Sequence, residues 1–99
     1  DEIEISLIVK DQKIIDMGYK CKSCIYCQAS ASLLSKLSVN KSLVKINELI
    51  EFVNNFFKIT NLKFAKEWKP FEKLFDMKNI SRKECILLPF KTVTKALKS

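Results

Sequence analysis

The sequence predicts an α+β domain in which a small antiparallel β-sheet, visible as one hairpin, packs against three to four helices. Near the N-terminus, apolar and polar residues alternate, which is the pattern of strands with one buried face. From Ala29 onward, apolar residues recur at three- and four-residue intervals, which is the period of amphipathic helices. We expect one domain over residues 1–99, because a chain of this size with 47% hydrophobic content can bury a single core.

Two strands are predicted in the N-terminal segment. The first contains the alternating apolar residues Ile3, Ile5, Leu7 and Val9. In the second, Ile15, Met17 and Tyr19 are predicted to share one face, and the polar segment 10–13 has a suitable length for a hairpin connection. Two strands alone are only marginally stable, so we expect either a third strand or helices that cover the exposed face.

Helical periodicity predicts two helices in the middle of the chain. A short helix is expected over about residues 29–37, where small residues lead into leucines. A second helix is expected to follow Ser42, which is a favourable N-cap residue. Its apolar stripe should lie in the core and consists of Ile46, Leu49, Ile50, Val53, Phe56 and Phe57.

Two prolines complicate the C-terminal third. Aromatic residues over 62–77 lie at helical intervals, but Pro70 interrupts them. Ser81 and Glu84 match a capping box, which predicts a last helix with Cys85 in its first turn. Pro89 leaves two alternatives: a kink of this helix at Cys85, or a helix that begins only near Pro89.

The charge pattern favours a solvated surface over a nucleic-acid interface. The formal net charge is +7, but lysines are scattered along the chain and Arg82 is the single arginine. We therefore do not expect a nucleic-acid partner. The sequence shows no apolar run long enough to span a membrane and no recognisable signal peptide, so we expect a cytoplasmic protein without a membrane segment.

Four cysteines carry the predicted chemistry. Cys21, Cys24 and Cys27 recur every third residue, a spacing used in zinc and iron–sulfur sites. Because the chain contains no histidine, a fourth ligand would be Cys85 or a carboxylate. The alternative is that individual thiols are buried as small apolar groups. Without an export signal, metal binding or thiol reactivity is favoured over disulfides.

The positions of the thiols also predict reactivity. Cys24 and Cys27 are expected just before one helix and Cys85 in the first turn of another, where the helix dipole favours the thiolate. Such thiolates are competent sulfur acceptors, because attack on a persulfide follows the chemistry of thiol–disulfide exchange.

The cysteine segments resemble those of the IscU/NifU-N/SufU family of iron–sulfur assembly proteins. Residues 18–32 are similar to the family's second cysteine motif, in which Cys is followed five residues later by Ala-Ser-Ala-Ser, and Cys24 is the matching thiol. Residues 82–88 resemble the third motif, Arg-x-x-Cys-x-x-Leu, with Cys85 as its cysteine. Residues 35–43 resemble the family's helix that ends in Gly-Lys-Ser/Thr-Leu. The long insert between Cys24 and Cys85 looks more like the SufU branch.

The resemblance implies a site and partners. The implied metal ligands are Asp1, Cys24, Cys85 and one further cysteine, holding zinc in SufU-type proteins or a nascent iron–sulfur cluster in scaffolds. Cys24 and Cys85 are then the candidate sulfur acceptors. The implied partners are a cysteine desulfurase, which supplies sulfur, and downstream apo iron–sulfur proteins.

The chain departs from the family pattern around the same cysteines. Residues 1–5 resemble the strand that follows the family's Cys-Gly-Asp motif, so its first cysteine would lie two residues before Asp1 and we expect an N-terminal segment to be lacking. Cys21 and Ser23 stand where the family has glycines, and Cys27 stands where it has serine. Cys21 and Cys27 are therefore candidate replacement ligands for the missing thiol.

Three functions follow from these expectations. The preferred one is an iron–sulfur cluster assembly scaffold or zinc-bound sulfur acceptor, rather than a stand-alone enzyme. A second is a structural metal-binding module whose Lys-rich surface contacts nucleic acid, and it predicts a salt-sensitive affinity. A third is a metal-free fragment without activity of its own.

Overall fold

The computed structural model describes residues 2–22, 24–59 and 62–98 and confirms the α+β prediction. The strands are β1 (Glu2–Lys10) and β2 (Lys13–Lys22). The α-helices are α1 (Ile25–Ser38), α2 (Leu43–Phe56) and α3 (Lys83–Lys98). Between α2 and α3 lie two 3₁₀ helices, Lys66–Phe71 and Met77–Arg82.

The two strands form the expected antiparallel hairpin, in which Ile5 lies opposite Tyr19. The connection is a two-residue turn, and its central residues Asp11 and Gln12 both have left-handed backbones, with φ of 53° and 64°. These angles are those of a type I′ turn, whose twist matches that of paired strands. The turn forms although neither central residue is the glycine that this geometry favours.

A β-bulge changes which face of β2 is buried. Ile8 pairs with Asp16 and Val9 pairs with Ile14, so Ile15 is the extra residue of β2. As a result Ile14 is 0% exposed whereas Ile15 is 42% exposed. The prediction that Ile15 shares the buried face of Met17 is therefore wrong, because a strict two-residue period does not hold across a bulge.

The turn end of the hairpin is tied to the connection between α1 and α2. The amide of Asn40 donates to the Ile14 carbonyl at 2.7 Å, and the Ile14 amide donates to the Lys41 carbonyl at 3.0 Å. The amide of Leu43 donates to the Gln12 carbonyl at 2.8 Å. These backbone hydrogen bonds fix the hairpin against the helical layer at the end opposite the cysteines.

The helix α1 begins at Ile25, four residues before the predicted start at Ala29. Its first turn includes the fully buried Cys27 and the partly buried Tyr26, which packs against the core. Burial of these side chains extends the helix beyond the segment that small residues alone indicate. Cys27 therefore lies within α1, and the prediction that it precedes the helix is wrong.

The helix α2 agrees with its predicted cap and stripe. The Ser42 hydroxyl accepts a hydrogen bond from the amide of Lys45 at 3.2 Å. The buried residues are the first four of the predicted stripe, Ile46, Leu49, Ile50 and Val53. Phe56 and Phe57 lie at the end of the helix and are partly buried against the same core.

The segment after α2 contributes aromatic residues to the core rather than a regular α-helix. Pro70 lies in the first 3₁₀ helix, between the buried side chains of Trp68 and Phe71. The Phe71 ring packs against that of Phe90 in α3, with a centroid separation of 5.5 Å. Aromatic packing therefore fixes a segment whose backbone is irregular.

The helix α3 is continuous through Pro89, so the alternative in which it begins near Pro89 is wrong. Ser81 lies in the preceding 3₁₀ helix, and α3 begins at Lys83. The predicted capping box is therefore not the start of the helix. Cys85 lies in the first turn of α3, as expected. None of the described helices is long and apolar enough to cross a membrane.

Candidate functional site

The N-terminal ends of α1 and α3 bring Cys24 and Cys85 together. Cys24 is the N-cap residue of α1, with an extended backbone, and its carbonyl accepts the first helical hydrogen bond from the amide of Gln28 at 3.1 Å. Cys85 is the third residue of α3. A side-chain hydrogen bond joins the two thiols. Two cysteines far apart in the sequence thus form one pair, which we call the Cys24/Cys85 pair.

A buried serine holds these two helices together beside the Cys24/Cys85 pair. The Ser30 hydroxyl donates to the carbonyl of Ile86 at 2.6 Å, and Ser30 is fully buried. Ile86 directly follows Cys85 in α3. Ser30 belongs to the Ala-Ser-Ala-Ser segment, and no pattern in the sequence indicates its partner in α3. Its hydrogen bond fixes the position of α1 along the axis of α3 and so positions the two thiols.

The pair controls the proton affinity of Cys85. The hydrogen bond with Cys24 raises the pKa of Cys85, and burial and the negative charge of an ionised Cys24 raise it further. The Arg82 guanidinium opposes this shift and lowers the pKa of Cys85. The net direction is upward because Cys24 and burial outweigh Arg82, and the effect of the helix dipole on the Cys85 thiolate stays a prediction.

Arg82 is a further residue near the pair that sequence reasoning gave no role. Its guanidinium carbon lies 6.0 Å from the centre of the Tyr26 ring, in the range of a cation–π contact. Tyr26 lies two residues after Cys24, in the first turn of α1. This contact links the approach to α3 with the start of α1 and keeps a positive charge beside the two thiols.

Cys21 and Cys27 form a second thiol pair, which we call the Cys21/Cys27 pair. The Cys21 Sγ lies 3.3 Å from the Cys27 Sγ and donates a hydrogen bond to it. Cys21 is the penultimate residue of β2, far from the hairpin turn, and is partly buried, whereas Cys27 is 0% exposed in α1. All four cysteines are described, and no disulfide joins them. Sequence reasoning missed this pair because it placed the start of α1 after Cys27.

The described donors supply only part of a metal site. Among residues 2–22, 24–59 and 62–98, no three Cys, Asp or Glu side chains lie together as a group that could hold a metal ion. The Cys24/Cys85 pair offers two of the four ligands of a tetrahedral zinc site. The third predicted ligand, Asp1, lies outside the described residues. The roles of Asp1, Cys21 and Cys27 as ligands therefore stay predictions.

A lysine-rich groove runs between the end of α2 and the length of α3. Its volume is about 710 Å³, and its lining includes Phe57, Leu87 and Glu84. Glu84 pairs with Lys91 at 3.2 Å. The lysines that line the groove are Lys58, Lys83, Lys91, Lys95 and Lys98. The scattered lysines of the sequence are thus partly collected on one face by the fold.

Comparison with known proteins places the chain among iron–sulfur assembly proteins. It is 32% identical over 99 residues to the iron–sulfur cluster assembly scaffold protein IscU of Thermotoga maritima, covering 99% of the chain and 69% of that protein. It is 31% identical over 102 residues to an uncharacterized protein of Borreliella burgdorferi, covering the whole chain and 68% of that protein. No protein-family profile matches the sequence.

A solved structure has the same fold. The N-terminal part of a NifU-like protein from Brucella abortus, described as nitrogen-fixing, superposes with a TM-score of 0.85 over 97% of this chain and 67% of that one. The sequence identity is 17%, so this likeness is evidence for the fold alone. The family relationship rests on the identity to the Thermotoga protein along almost the entire chain.

Proposed function

Because this chain belongs to the IscU/NifU-like family of iron–sulfur cluster assembly scaffold proteins, we propose that Cys24 and Cys85 are the thiols on which it assembles a cluster. The observation that carries this proposal is the Cys24/Cys85 pair itself. Two thiols from the ends of two packed helices lie side by side, and thiolates are the ligands by which proteins hold iron–sulfur clusters. The cluster is the cargo of a scaffold, to be passed on to other proteins.

The surroundings of the pair support a division of labour between the two thiols. Cys85 holds its proton more tightly than an ordinary thiol, because its pKa is raised by the hydrogen bond to Cys24. Cys24 is the N-cap residue of α1 and therefore lies at the positive end of the helix dipole. We therefore assign Cys24 as the first acceptor of sulfur from a cysteine desulfurase. The Cys24 thiolate attacks the outer sulfur of the donor's persulfide, as in thiol–disulfide exchange.

The SufU-like resemblance supplies a variant of this proposal, in which the chain is a zinc-bound sulfur acceptor. Cys24, Cys85 and Asp1 would then hold zinc, with Cys21 or Cys27 as candidate replacement ligands. Bound zinc would keep its thiolate ligands deprotonated and close together. The two versions differ in what the purified protein contains: zinc without sulfide, or iron with a matching amount of acid-labile sulfide.

The test is the metal and sulfide content of anaerobically purified protein, before and after reconstitution with iron, cysteine and a cysteine desulfurase. We expect the wild type to bind iron and sulfide, or zinc, and Cys24→Ser and Cys85→Ser each to lose it. Cys21→Ser is the matched variant for the replacement-ligand prediction, since it removes a neighbouring thiol outside the pair. If the wild type takes up neither metal nor sulfide, or if both pair variants load normally, the proposal is wrong.

The proposed partners are a cysteine desulfurase and downstream apo iron–sulfur proteins in the cytoplasm. A loaded scaffold should transfer its cluster to an apo ferredoxin, observed as the growth of the ferredoxin's visible circular dichroism. Transfer that proceeds equally well from free iron and sulfide, without the chain, would remove the basis for a scaffold role.

One observation favours a second function, in which the chain contacts nucleic acid. Five lysines line the groove along α3, and such a groove can attract phosphates. Titration of labelled single- and double-stranded oligonucleotides, followed by fluorescence anisotropy at several salt concentrations, tests it. An affinity that falls steeply with salt would support this function, whereas absence of binding at low salt would exclude it.

A further inference from the structure

The Cys21/Cys27 pair lies outside the two thiols proposed to carry the cluster, and Cys27 shares the first turn of α1 with the proposed sulfur acceptor, Cys24. Cys27 is the third helical residue of α1, and Cys24 is the N-cap of the same helix. Residues three apart are neighbours on one side of a helix, so these two positions lie together in the first turn. Cys21 in turn contacts Cys27 at 3.3 Å. The first turn of α1, which carries Cys24 and Cys27, therefore connects the Cys24/Cys85 pair with the Cys21/Cys27 pair.

Sulfur delivered as a persulfide must be reduced before it enters a cluster, and a dithiol can supply the electrons. The outer sulfur of a persulfide is at the oxidation state of elemental sulfur, whereas the sulfur in a cluster is sulfide. Two electrons must be added for each sulfur atom, and two thiols release two electrons when they form a disulfide. We propose that Cys21 and Cys27 form an internal dithiol that reduces a persulfide on Cys24 and releases its outer sulfur as sulfide. This inference rests on the proposed acceptance of sulfur by Cys24.

The reaction balances in two exchange steps. The Cys27 thiolate first attacks the inner sulfur of the Cys24 persulfide, forming a Cys24–Cys27 disulfide and expelling hydrosulfide. The Cys21 thiolate then attacks the Cys27 sulfur, which breaks that disulfide, returns Cys24 as a thiol and leaves a Cys21–Cys27 disulfide. The protons lost by Cys27 and Cys21 are taken up by the hydrosulfide and by Cys24. The sulfane sulfur gains two electrons, and the dithiol loses two.

The positions of the two thiols suit these steps. Cys27 is fully buried in the first turn of α1, where water is largely excluded from a mixed disulfide. Closing the second disulfide requires the sulfurs of Cys21 and Cys27 to approach by a little over 1 Å, from 3.3 Å to a bond length of about 2.05 Å. Cys21 lies in β2 near its end, and it is partly buried, so a small adjustment there is sufficient.

The test is a single turnover without added reductant. Fully reduced chain is mixed anaerobically with one equivalent of glutathione persulfide, and released sulfide is measured over time. Remaining thiols are then alkylated and the disulfides are mapped after trypsin digestion. The sequence is favourable for mapping, because cleavage at lysines puts Cys21 on peptide 21–22, Cys24 and Cys27 on peptide 23–36, and Cys85 on peptide 84–91.

We expect the wild type to release about one sulfide per persulfide and to acquire the Cys21–Cys27 disulfide. Cys21→Ser should release sulfide but stop at a Cys24–Cys27 disulfide, with Cys24 no longer recovered as a thiol. Cys27→Ser should retain the persulfide on Cys24. Because Cys27 is buried and its variant can fail to fold, the trapped disulfide in Cys21→Ser is the decisive result.

Four results would overturn the inference. The first is that Cys21→Ser returns Cys24 as a thiol as fully as the wild type does. The second is that the wild type forms a Cys24–Cys85 disulfide in place of the Cys21–Cys27 disulfide. A persulfide that persists on wild-type Cys24 while Cys21 and Cys27 stay reduced would reject the dithiol alone and leave the sulfur-acceptor proposal intact. If neither persulfide nor disulfide forms on any variant, the sulfur-acceptor proposal fails as well.

Discussion

Two serines in α1 provide a controlled measurement of the contact that positions the Cys24/Cys85 pair. Ser30 and Ser38 are both 0% exposed. The Ser30 hydroxyl donates to the Ile86 carbonyl across the interface with α3. The Ser38 hydroxyl has no hydrogen-bond partner among the described residues. The substitutions Ser30→Ala and Ser38→Ala remove the same atom from the same helix, but only the first breaks a bond.

The expected energies have opposite signs. A typical intramolecular hydrogen bond contributes about 1 kcal/mol net, so Ser30→Ala should lower the free energy of unfolding by about that amount. A buried hydroxyl without a partner costs on the order of 1 kcal/mol or more in lost solvation, so Ser38→Ala should raise stability by a similar amount. Alanine has a higher helix propensity than serine, which stabilises both variants. This contribution largely cancels when the two variants are compared. The two variants should therefore differ by about 2 kcal/mol, or roughly 10 °C in melting temperature for a chain of this size.

Urea unfolding monitored by circular dichroism measures both variants against the wild type, with equal m-values as the condition for the comparison. Ser35→Ala is the local control, because the Ser35 hydroxyl donates to the Ser32 carbonyl within the same helix at 2.9 Å. It should change stability by less than about 0.5 kcal/mol. If Ser30→Ala is as stable as Ser38→Ala, the bond to Ile86 does not hold α1 on α3 and the account of how the thiols are positioned is wrong.

Three other predictions follow from the fold and the site. Gln12→Gly should raise the free energy of unfolding by about 1 kcal/mol, since it relieves a left-handed residue in the type I′ turn; no gain in urea unfolding would count against this turn. Phe71→Ala, in the aromatic core, should cost about 3–5 kcal/mol in the same assay, and a loss below about 1 kcal/mol would contradict its packing. Because the pKa of Cys85 is raised by its hydrogen bond to Cys24, Cys85 should react with iodoacetamide only at higher pH than in the urea-unfolded chain, and Cys24→Ser should shift the profile back. Because the pKa of Cys85 is higher in the folded chain, its contribution to the free energy of unfolding is present below the unfolded pKa and is lost as the pH rises through the folded pKa. Identical iodoacetamide profiles for the folded and unfolded chains would refute the raised pKa.

Periodicity was sufficient to predict the elements whose stability is local. The stripe of α2 and its Ser42 cap agree with the structure because both depend on residues within one helix. The bulge at Ile15 could not be read from the alternation, since it depends on pairing with β1 and on burial of Ile14. The early start of α1 escaped prediction for a similar reason. Its first turn is stabilised by burial of Cys27 rather than by helix propensity.

The candidate site was only partly visible in the sequence. The resemblance to a known family singled out Cys24 and Cys85, and the fold brings their thiols into contact. The regular spacing of Cys21, Cys24 and Cys27 suggested one common centre, whereas the structure pairs Cys21 with Cys27 and Cys24 with Cys85. Spacing along the chain cannot show this, because the change from strand to helix between Cys21 and Cys27 determines which sulfurs meet. The same limit applies to Ser30, whose partner lies in another helix.

The backbone bonds between the α1–α2 connection and the hairpin have a consequence for local unfolding. They secure the turn end, where the Ile14 amide is 0% exposed and hydrogen-bonded, whereas the opposite end of the hairpin carries Cys21 near the last cross-strand pairs. Amide hydrogen exchange should therefore be slow at Ile14 and progressively faster toward Ile3 and Cys21. The thiol end can then open and close while the rest of the domain stays folded. A protein that gives up its cargo by exchanging ligands benefits from a hairpin whose less protected end lies beside its thiols.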